Sequence, residues 1–317
     1  MTLPANGRQR DLRHICKLVC SMTVISSTKL NDVFPIPARG ASKLRSKSSE
    51  IEIRRAHWDD PSSWLSGLQD VSKLFLISSA RIEKDFNSAP PGKGREEDHF
   101  RALEAAKKVG VKHVYYTSLA FANPSLSGVM KAHERTEEYL QQQKDFKFTI
   151  IREGLYNESW PLYLGHYDLP GGDDRTEVVV AGDSKISWTS IRDLGLANAL
   201  ILAAPSEEYE GKMFYLAQKQ AYTMKDVAEM VAKARGKELK LKVLDRESHE
   251  EYYVNERKME RPFIEWWSKT YDALKQNECE IHDNTLEGLL KSRGVEPTAM
   301  EVTVEEMVGS SRGFTGR

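Results

Sequence analysis

The chain has 317 residues, with 46 Lys and Arg against 47 Asp and Glu, for a formal net charge of -1. That length accommodates one large domain, or a domain with a smaller lobe, around a substantial core. A balance this close to neutral excludes a general nucleic-acid binder, which needs a cationic face to neutralise phosphates. The three cysteines, Cys16, Cys20 and Cys279, have neither zinc-finger spacing nor the density of a disulfide framework. No segment approaches the roughly 18 apolar residues of a membrane span. The expectation is therefore a protein of the cytoplasm, without membrane or direct nucleic-acid contact. The charge is uneven, since residues 1–50 hold nine Lys and Arg against three acidic residues.

From about residue 50 the sequence alternates short apolar runs with helical segments. Ile51-Glu52-Ile53 reads as a strand, and Asp60-Pro61-Ser62-Ser63 as the cap and first turn of a helix through Leu68, with proline just inside the start. Lys73 to Ser79 is a continuous apolar run closing in two hydroxyls, the form of a strand buried on both faces. Residues 81–95 carry Pro90, Pro91, Gly92 and Gly94 and form a loop, after which a helix runs from about Glu96 to Val109 and stops at Gly110. Val111 to Ser118 is the next strand, 127–143 the next helix, and Phe146 to Arg152 a further strand.

This rhythm predicts an α/β fold, a doubly wound parallel sheet with helices on both faces and a smaller C-terminal lobe. Ligands of such sheets bind beyond the carboxyl ends of the strands, which here carry Ser78, Ser79, Thr117, Ser118, Arg152 and Glu153. Further on, Val178 to Val180, Ile186 to Trp188, Lys212 to Leu216 and Leu239 to Val243 read as strands. Asp193 is expected to cap the helix that ends at Ala204, and Thr223 the next one. Trp266 and Trp267 are adjacent, which predicts that only one is core. Tyr115 and Tyr116 should face opposite sides of their strand. The expected division is an irregular segment over 1–36, a doubly wound core over 37–160, which the resemblance given next makes a Rossmann-like NAD(P)-binding core, and a substrate lobe, interleaved with the core, over 161–317.

Several runs in order resemble a known family. They are Ala105 to Ser118, with Val114-Tyr115-Tyr116-Thr117-Ser118 at its end; Gly128 to Leu140, with Lys131-Ala132-His133-Glu134; and Phe148 to Glu158, with Arg152-Glu153-Gly154-Leu155-Tyr156-Asn157. Together with Asp183-Ser184-Lys185-Ile186 and Arg192-Asp193, they resemble the NmrA-like group of atypical short-chain dehydrogenases, in the branch of the NADPH-dependent quinone oxidoreductases of type 2. The resemblance runs from about Ala38 to the C-terminus. It implies an NAD(P)-binding Rossmann fold, NADPH (NADP) as cofactor, and hydride transfer to a quinone or related conjugated carbonyl.

The resemblance also implies site residues. Arg39 and Lys43 occupy the positions that meet the 2′-phosphate of NADPH. Ser78 and Ser79 would line the nicotinamide ribose, with Thr117 and Ser118 beside the ring. His133 stands where relatives carry Lys or His, and no Tyr-x-x-x-Lys pair is present. Arg152 and Tyr156 would border the cofactor, and Tyr156, Asn157 and Trp160 the substrate, with the aromatic rings stacking on a flat ligand. His133, Thr117 and Tyr156 are the candidate catalytic groups. Each has a structural alternative: a histidine bonded to its helix neighbours, hydroxyls capping turns, aromatics packed under the lobe.

The departure lies at the start. The family's first strand runs into G-x-x-G-x-x-G, whose glycines let backbone N–H groups approach the pyrophosphate. That turn should fall near residues 11–17, which read Asp11-Leu12-Arg13-His14-Ile15-Cys16-Lys17. Lost cofactor affinity, an altered gene start and substitution by basic side chains all fit this. Two further functions therefore stand beside the reductase: an NADP(H)-sensing regulator acting through a protein partner, and a degenerate relative without cofactor. A homodimer is compatible with each.

Overall fold

The computed structural model describes residues 24–26, 32–35, 51–54, 56–169 and 171–312. Arg39, Lys43 and the 11–17 segment lie outside the described residues. The strands are β1 (Val24–Ser26), β2 (Asp32–Pro35), β3 (Ile51–Arg54), β4 (Lys73–Leu76), β5 (His113–Leu119), β6 (Lys147–Glu153), β7 (Glu177–Val180), β8 (Met213–Leu216) and β9 (Lys240–Val243). Seven of them form one sheet in the order β3-β2-β1-β4-β5-β6-β8, while β7 and β9 pair in a separate parallel ribbon.

The α-helices are α1 (Pro61–Gly67), α2 (Glu96–Val109), α3 (Lys131–Gln141), α4 (Trp160–Tyr163), α5 (Ile191–Ala203), α6 (Met224–Arg235), α7 (Arg246–Glu251), α8 (Arg261–Lys275), α9 (Thr285–Lys291) and α10 (Met300–Arg312). Their ends follow local chemistry. Asp60 accepts from the N–H groups of Ser62 and Ser63 to start α1. Helix α2 carries Glu96, Glu97 and Asp98 in its first turn and Lys107 and Lys108 in its last, matching the macrodipole, and ends on Gly110 at φ 80°. Thr223 and Asp226 form a reciprocal capping box on α6.

The period of two along the central strands divides the core. Leu74, Leu76, Val114, Tyr116 and Ile150 pack with Trp64, Leu68 and Leu103 on the α1/α2/α3 face. Phe75, Tyr115 and Ile151 pack with Leu194, Ile201 and Leu290 on the α5/α9 face. Tyr115 and Tyr116 thus face opposite sides, as their spacing predicts. A third cluster joins Tyr163, Trp188, Val227, Val231, Trp266, Trp267 and Tyr271.

The doubly wound α/β fold is as expected, with one strand reversed in its sheet: β1 runs antiparallel to both β2 and β4, with Val24 opposite Phe75 and Ser26 opposite Lys73. Three expectations are corrected. Residues 186–188 form no strand; they make an isolated bridge between Ile186 and Tyr222. The 127–143 segment opens with a 3-10 turn, Gly128–Met130, capped by Ser127. Trp266 and Trp267 are both core, 7% and 4% exposed, because α8 has protein on both sides. Phe86 of the loop after β4 meets Trp266 at 5.5 Å between ring centroids, and Tyr163 meets Trp267 at 5.0 Å.

A Cβ at Gly110 would meet nothing within 4 Å, so Gly110→Ala tests backbone conformation alone. It is expected to lower stability by about 1 kcal/mol, read as a lower urea midpoint at unchanged slope.

Candidate functional site

The carboxyl edge of β4, β5 and β6 gathers polar side chains, and strand alternation sends them to two faces. On the α3 side, Ser79 N–H donates to His99 Nε2 at 2.9 Å, and its hydroxyl donates to Asp98 at 2.7 Å. A backbone N–H only donates, so His99 Nε2 is the acceptor and its proton sits on Nδ1, 2.8 Å from the Thr136 hydroxyl. Ser78 lies 3.1 Å from the same Nε2 through its hydroxyl. Burial, and then the Arg95 charge, pull the His99 pKa down to about 3, so the ring is neutral. Arg95 is buried on Asp85, at 2.6 Å, and donates to the Ser79 carbonyl at 3.3 Å.

His133 is 2% exposed, with Nδ1 2.9 Å from the Tyr116 hydroxyl. Burial first, then Arg95 and His99, hold it far below the usual histidine range. It is a neutral hydrogen-bonding group rather than an imidazolium acid. One turn on, Glu137 accepts from Ser118 Oγ at 2.6 Å and from Arg152 Nε and Nη2 at 3.0 and 2.5 Å. Arg152 also donates to the Tyr215 hydroxyl at 3.0 Å. Ser118 and Arg152 are therefore bound into a buried ion-pair network.

On the α5 face, Thr117 Oγ1 accepts from the Ser78 N–H at 3.2 Å, which ties the ends of β4 and β5. Glu153 is 5% exposed. Its carboxyl accepts from Asn198 Nδ2 at 2.7 Å and from the Tyr156 hydroxyl at 3.0 Å, with no cation among its partners. Burial raises its pKa to about 7 against these two hydrogen bonds. Tyr156 is half-buried and packs against the cluster that contains Ile77 and Ile151. Next to Glu153, Gly154 is required by close approach: a Cβ there would fall 2.2 Å from Thr189 Oγ1 and 3.0 Å from the Ser187 carbonyl.

The structure thus brings Thr117 and Tyr156 to one face and His133 to the other. Asn157 is buried and donates to Thr303 Oγ1 at 3.1 Å, which pins α10. Trp160 is fully buried in the third cluster, 5.6 Å from the Tyr167 ring, and presents no open face for stacking. Asp193 does not cap α5. Ser190 does so by accepting from the Arg192 N–H, while Asp193 accepts from the N–H and hydroxyl of Thr298 at 2.6 and 2.9 Å. Sequence reasoning passed over His99, Glu137 and Asn198. The available signal was helix phase, since His133, Thr136, Glu137 and Leu140 share the buried face of α3. A separate cavity of about 350 Å³ lies between the loop after β4 and α8, lined by residues including Asp85, Arg135 and Trp266. None of the candidate residues lines it. No group of metal-ligating side chains occurs among the described residues, and none of their helices is long and apolar enough to cross a membrane.

A twisted sheet covered on both faces, with its polar groups at the carboxyl edge, defines the doubly wound, Rossmann-like class. No family profile matches the chain. It is 26% identical over 282 residues to an NmrA-like family domain-containing oxidoreductase of Aspergillus flavus, across 86% of this chain and 85% of that protein. It is 31% identical over 206 residues to quinone oxidoreductase 2 of Escherichia coli, across 63% and 65%. Among solved structures, an Escherichia coli NADPH-dependent quinone oxidoreductase in complex with NADPH superposes with TM-score 0.72 at 24% identity, covering 93% of this chain and 96% of that one. The chain is thus similar in sequence to an NmrA-like oxidoreductase and to a quinone oxidoreductase, and shares the fold of the latter's kind.

Two outcomes follow from the buried carboxylates. Glu137→Leu leaves Arg152 as an unpaired buried charge and is expected to cost about 3–5 kcal/mol in urea unfolding. Glu153 has a folded pKa of about 7 against 4.5 unfolded, so the folded state holds the proton more tightly. Its contribution is full below pH 4.5 and is lost as pH rises through about 7, a span of about 3 kcal/mol. Stability of Glu153→Gln measured across that window is expected to fall less steeply than wild type.

Proposed function

We propose that this chain is an NADP(H)-dependent oxidoreductase of the cytoplasm that reduces a quinone or a related conjugated carbonyl. The observation that carries the reading is the polar carboxyl edge of β4, β5 and β6, where Ser78, Thr117 and Tyr156 stand at adjoining strand ends. Their hydroxyls fit the ribose and carboxamide of a nicotinamide, and the relatives named above are a quinone oxidoreductase and an NmrA-like oxidoreductase. The nicotinamide would supply the hydride, and the protein would supply orientation and a dry edge. Neutral His133 and His99 keep that edge rigid without adding charge. Arg39 and Lys43 are proposed to meet the 2′-phosphate.

The direction of β1 favours a second reading, a relative that keeps the fold without the cofactor. The amino end of β1, not its carboxyl end, lies at the edge that carries Ser78 and Thr117. The strand therefore delivers no following turn to that edge for a pyrophosphate.

Titration of NADPH against intrinsic tryptophan fluorescence separates the two. Saturation below millimolar cofactor, followed by NADPH oxidation with a small quinone panel, is the expected result. No saturable change would leave the cofactor-free reading.

A further inference from the structure

A reductase of quinones has little need of a protein acid. The reduced quinone carries its charge on phenolate oxygens, which water protonates readily. A ketone or aldehyde is different, because hydride addition leaves an alkoxide, a far stronger base that must be protonated as it forms. An acid held ready at the reacting edge is therefore a statement about substrate class.

Such an acid stands at the end of β6. Glu153 is buried, lacks a counter-cation, and shares a 3.0 Å hydrogen bond with the Tyr156 hydroxyl. Tyr156 is half-buried and is the more exposed member of the pair. We propose that Glu153 and Tyr156 form a proton relay that suits the site to a ketone or aldehyde conjugated to a ring rather than to a quinone. The proposal rests on the reductase reading above and names its substrate class.

The surroundings hold the carboxyl's pKa up without help from a neighbouring charge. From α5 it meets the Asn198 amide. Its partners across the ladders, Leu119 of β5 and Leu216 of β8, are uncharged. Arg152 precedes it but is turned to Glu137 and Tyr215 on the other face. Two acids at the start of α5 are engaged elsewhere, Asp193 with Thr298 and Glu158 with the Ile191 N–H and Ser190. Burial alone therefore sets the protonation state, with a pKa of about 7.

The step balances as follows. The carbonyl carbon accepts a hydride with its two electrons from the dihydronicotinamide, and the C=O π pair moves to oxygen. For this the protonated Glu153 donates its O–H to Tyr156 Oη, the reverse of the bond in which the Tyr156 hydroxyl donates to the carboxyl; the substrate oxygen takes the Tyr156 proton as Tyr156 takes that of Glu153, leaving a carboxylate that again accepts from Tyr156 until water reprotonates it. Glu153 does not touch the substrate in this scheme and is a positioning and proton-supplying residue behind Tyr156.

The test compares wild type, Glu153→Gln and Tyr156→Phe on a naphthoquinone and on an aryl ketone or aldehyde, with NADPH as donor. Carbonyl reduction is expected to fall by about 100-fold in both variants, while quinone reduction in Glu153→Gln stays within about 3-fold. In wild type, carbonyl turnover should decline as pH rises through about 7, and Glu153→Gln should lack that limb. Independently of turnover, the infrared C=O band of the protonated carboxyl in the cofactor-free protein should titrate over the same range and vanish in Glu153→Gln. Tyr156→Phe keeps the relay testable where Glu153→Gln folds poorly. Equal losses on both substrates in Glu153→Gln, no loss of carbonyl turnover in either variant, quinone turnover without carbonyl turnover in wild type, or a band that does not titrate overturns the relay. Absence of all NADPH oxidation together with absence of NADPH binding overturns the reductase reading instead.

Discussion

The geometry of the site depends on one buried ion pair. Glu137 of α3 and Arg152 of β6 are 1% and 5% exposed and join through two hydrogen bonds. The pair fixes where α3 sits along the end of the sheet, and α3 carries His133 and Thr136 on the same face. Charges this deep are costly unless every lone pair is used. Here Ser118 and Asn123 complete the Glu137 carboxylate and Tyr215 completes the guanidinium. What looks in sequence like a strand-end arginine ready for a cofactor is consumed in holding a helix to the sheet.

Strand alternation decides the rest. Arg152 turns toward α3, so Glu153 must turn toward α5. On the first face the buried carboxylates meet cations: Glu137 meets Arg152, Asp98 meets Arg81 and Lys84, and Asp85 meets Arg95. On the second face Glu153 meets only an amide and a phenol. The same residue type is thus paired with a cation on one face of the sheet and left without one on the other, where burial raises its pKa. Environment rather than identity assigns the role.

Much of this was legible from sequence because it is local. The strand runs, Asp60, Gly110 and Thr223 as helix boundaries, and the opposite facing of Tyr115 and Tyr116 all follow from periodicity and capping. What was not legible depends on partners far along the chain. Asp193 reads as a helix cap until Thr298, 105 residues on, claims its carboxylate. The adjacent tryptophans read as one buried and one exposed until Phe86 and Tyr163 enclose α8 from two sides. Trp160 reads as a stacking platform until Tyr167 and the ribbon of β7 and β9 leave it no open face. Neither the strand pattern nor the family resemblance says which of the polar groups at that edge are spent on structure.

The first strand shows why strand order and strand direction must be argued separately. Order alone makes the gap between β1 and β4 the switch point, since the chain passes outward from β1 to β3 and returns at β4. In a doubly wound sheet that is where a dinucleotide lies, because the turns after two parallel strands leave in opposite directions and open a crevice. With β1 reversed, only β4 sends its carboxyl end to that crevice. Ser78, Thr117 and Tyr156 do not depend on β1, being carried by β4, β5 and the segment after β6. That part of the edge is built on parallel strands locked to one another by register, and it keeps its geometry whichever way the first strand runs.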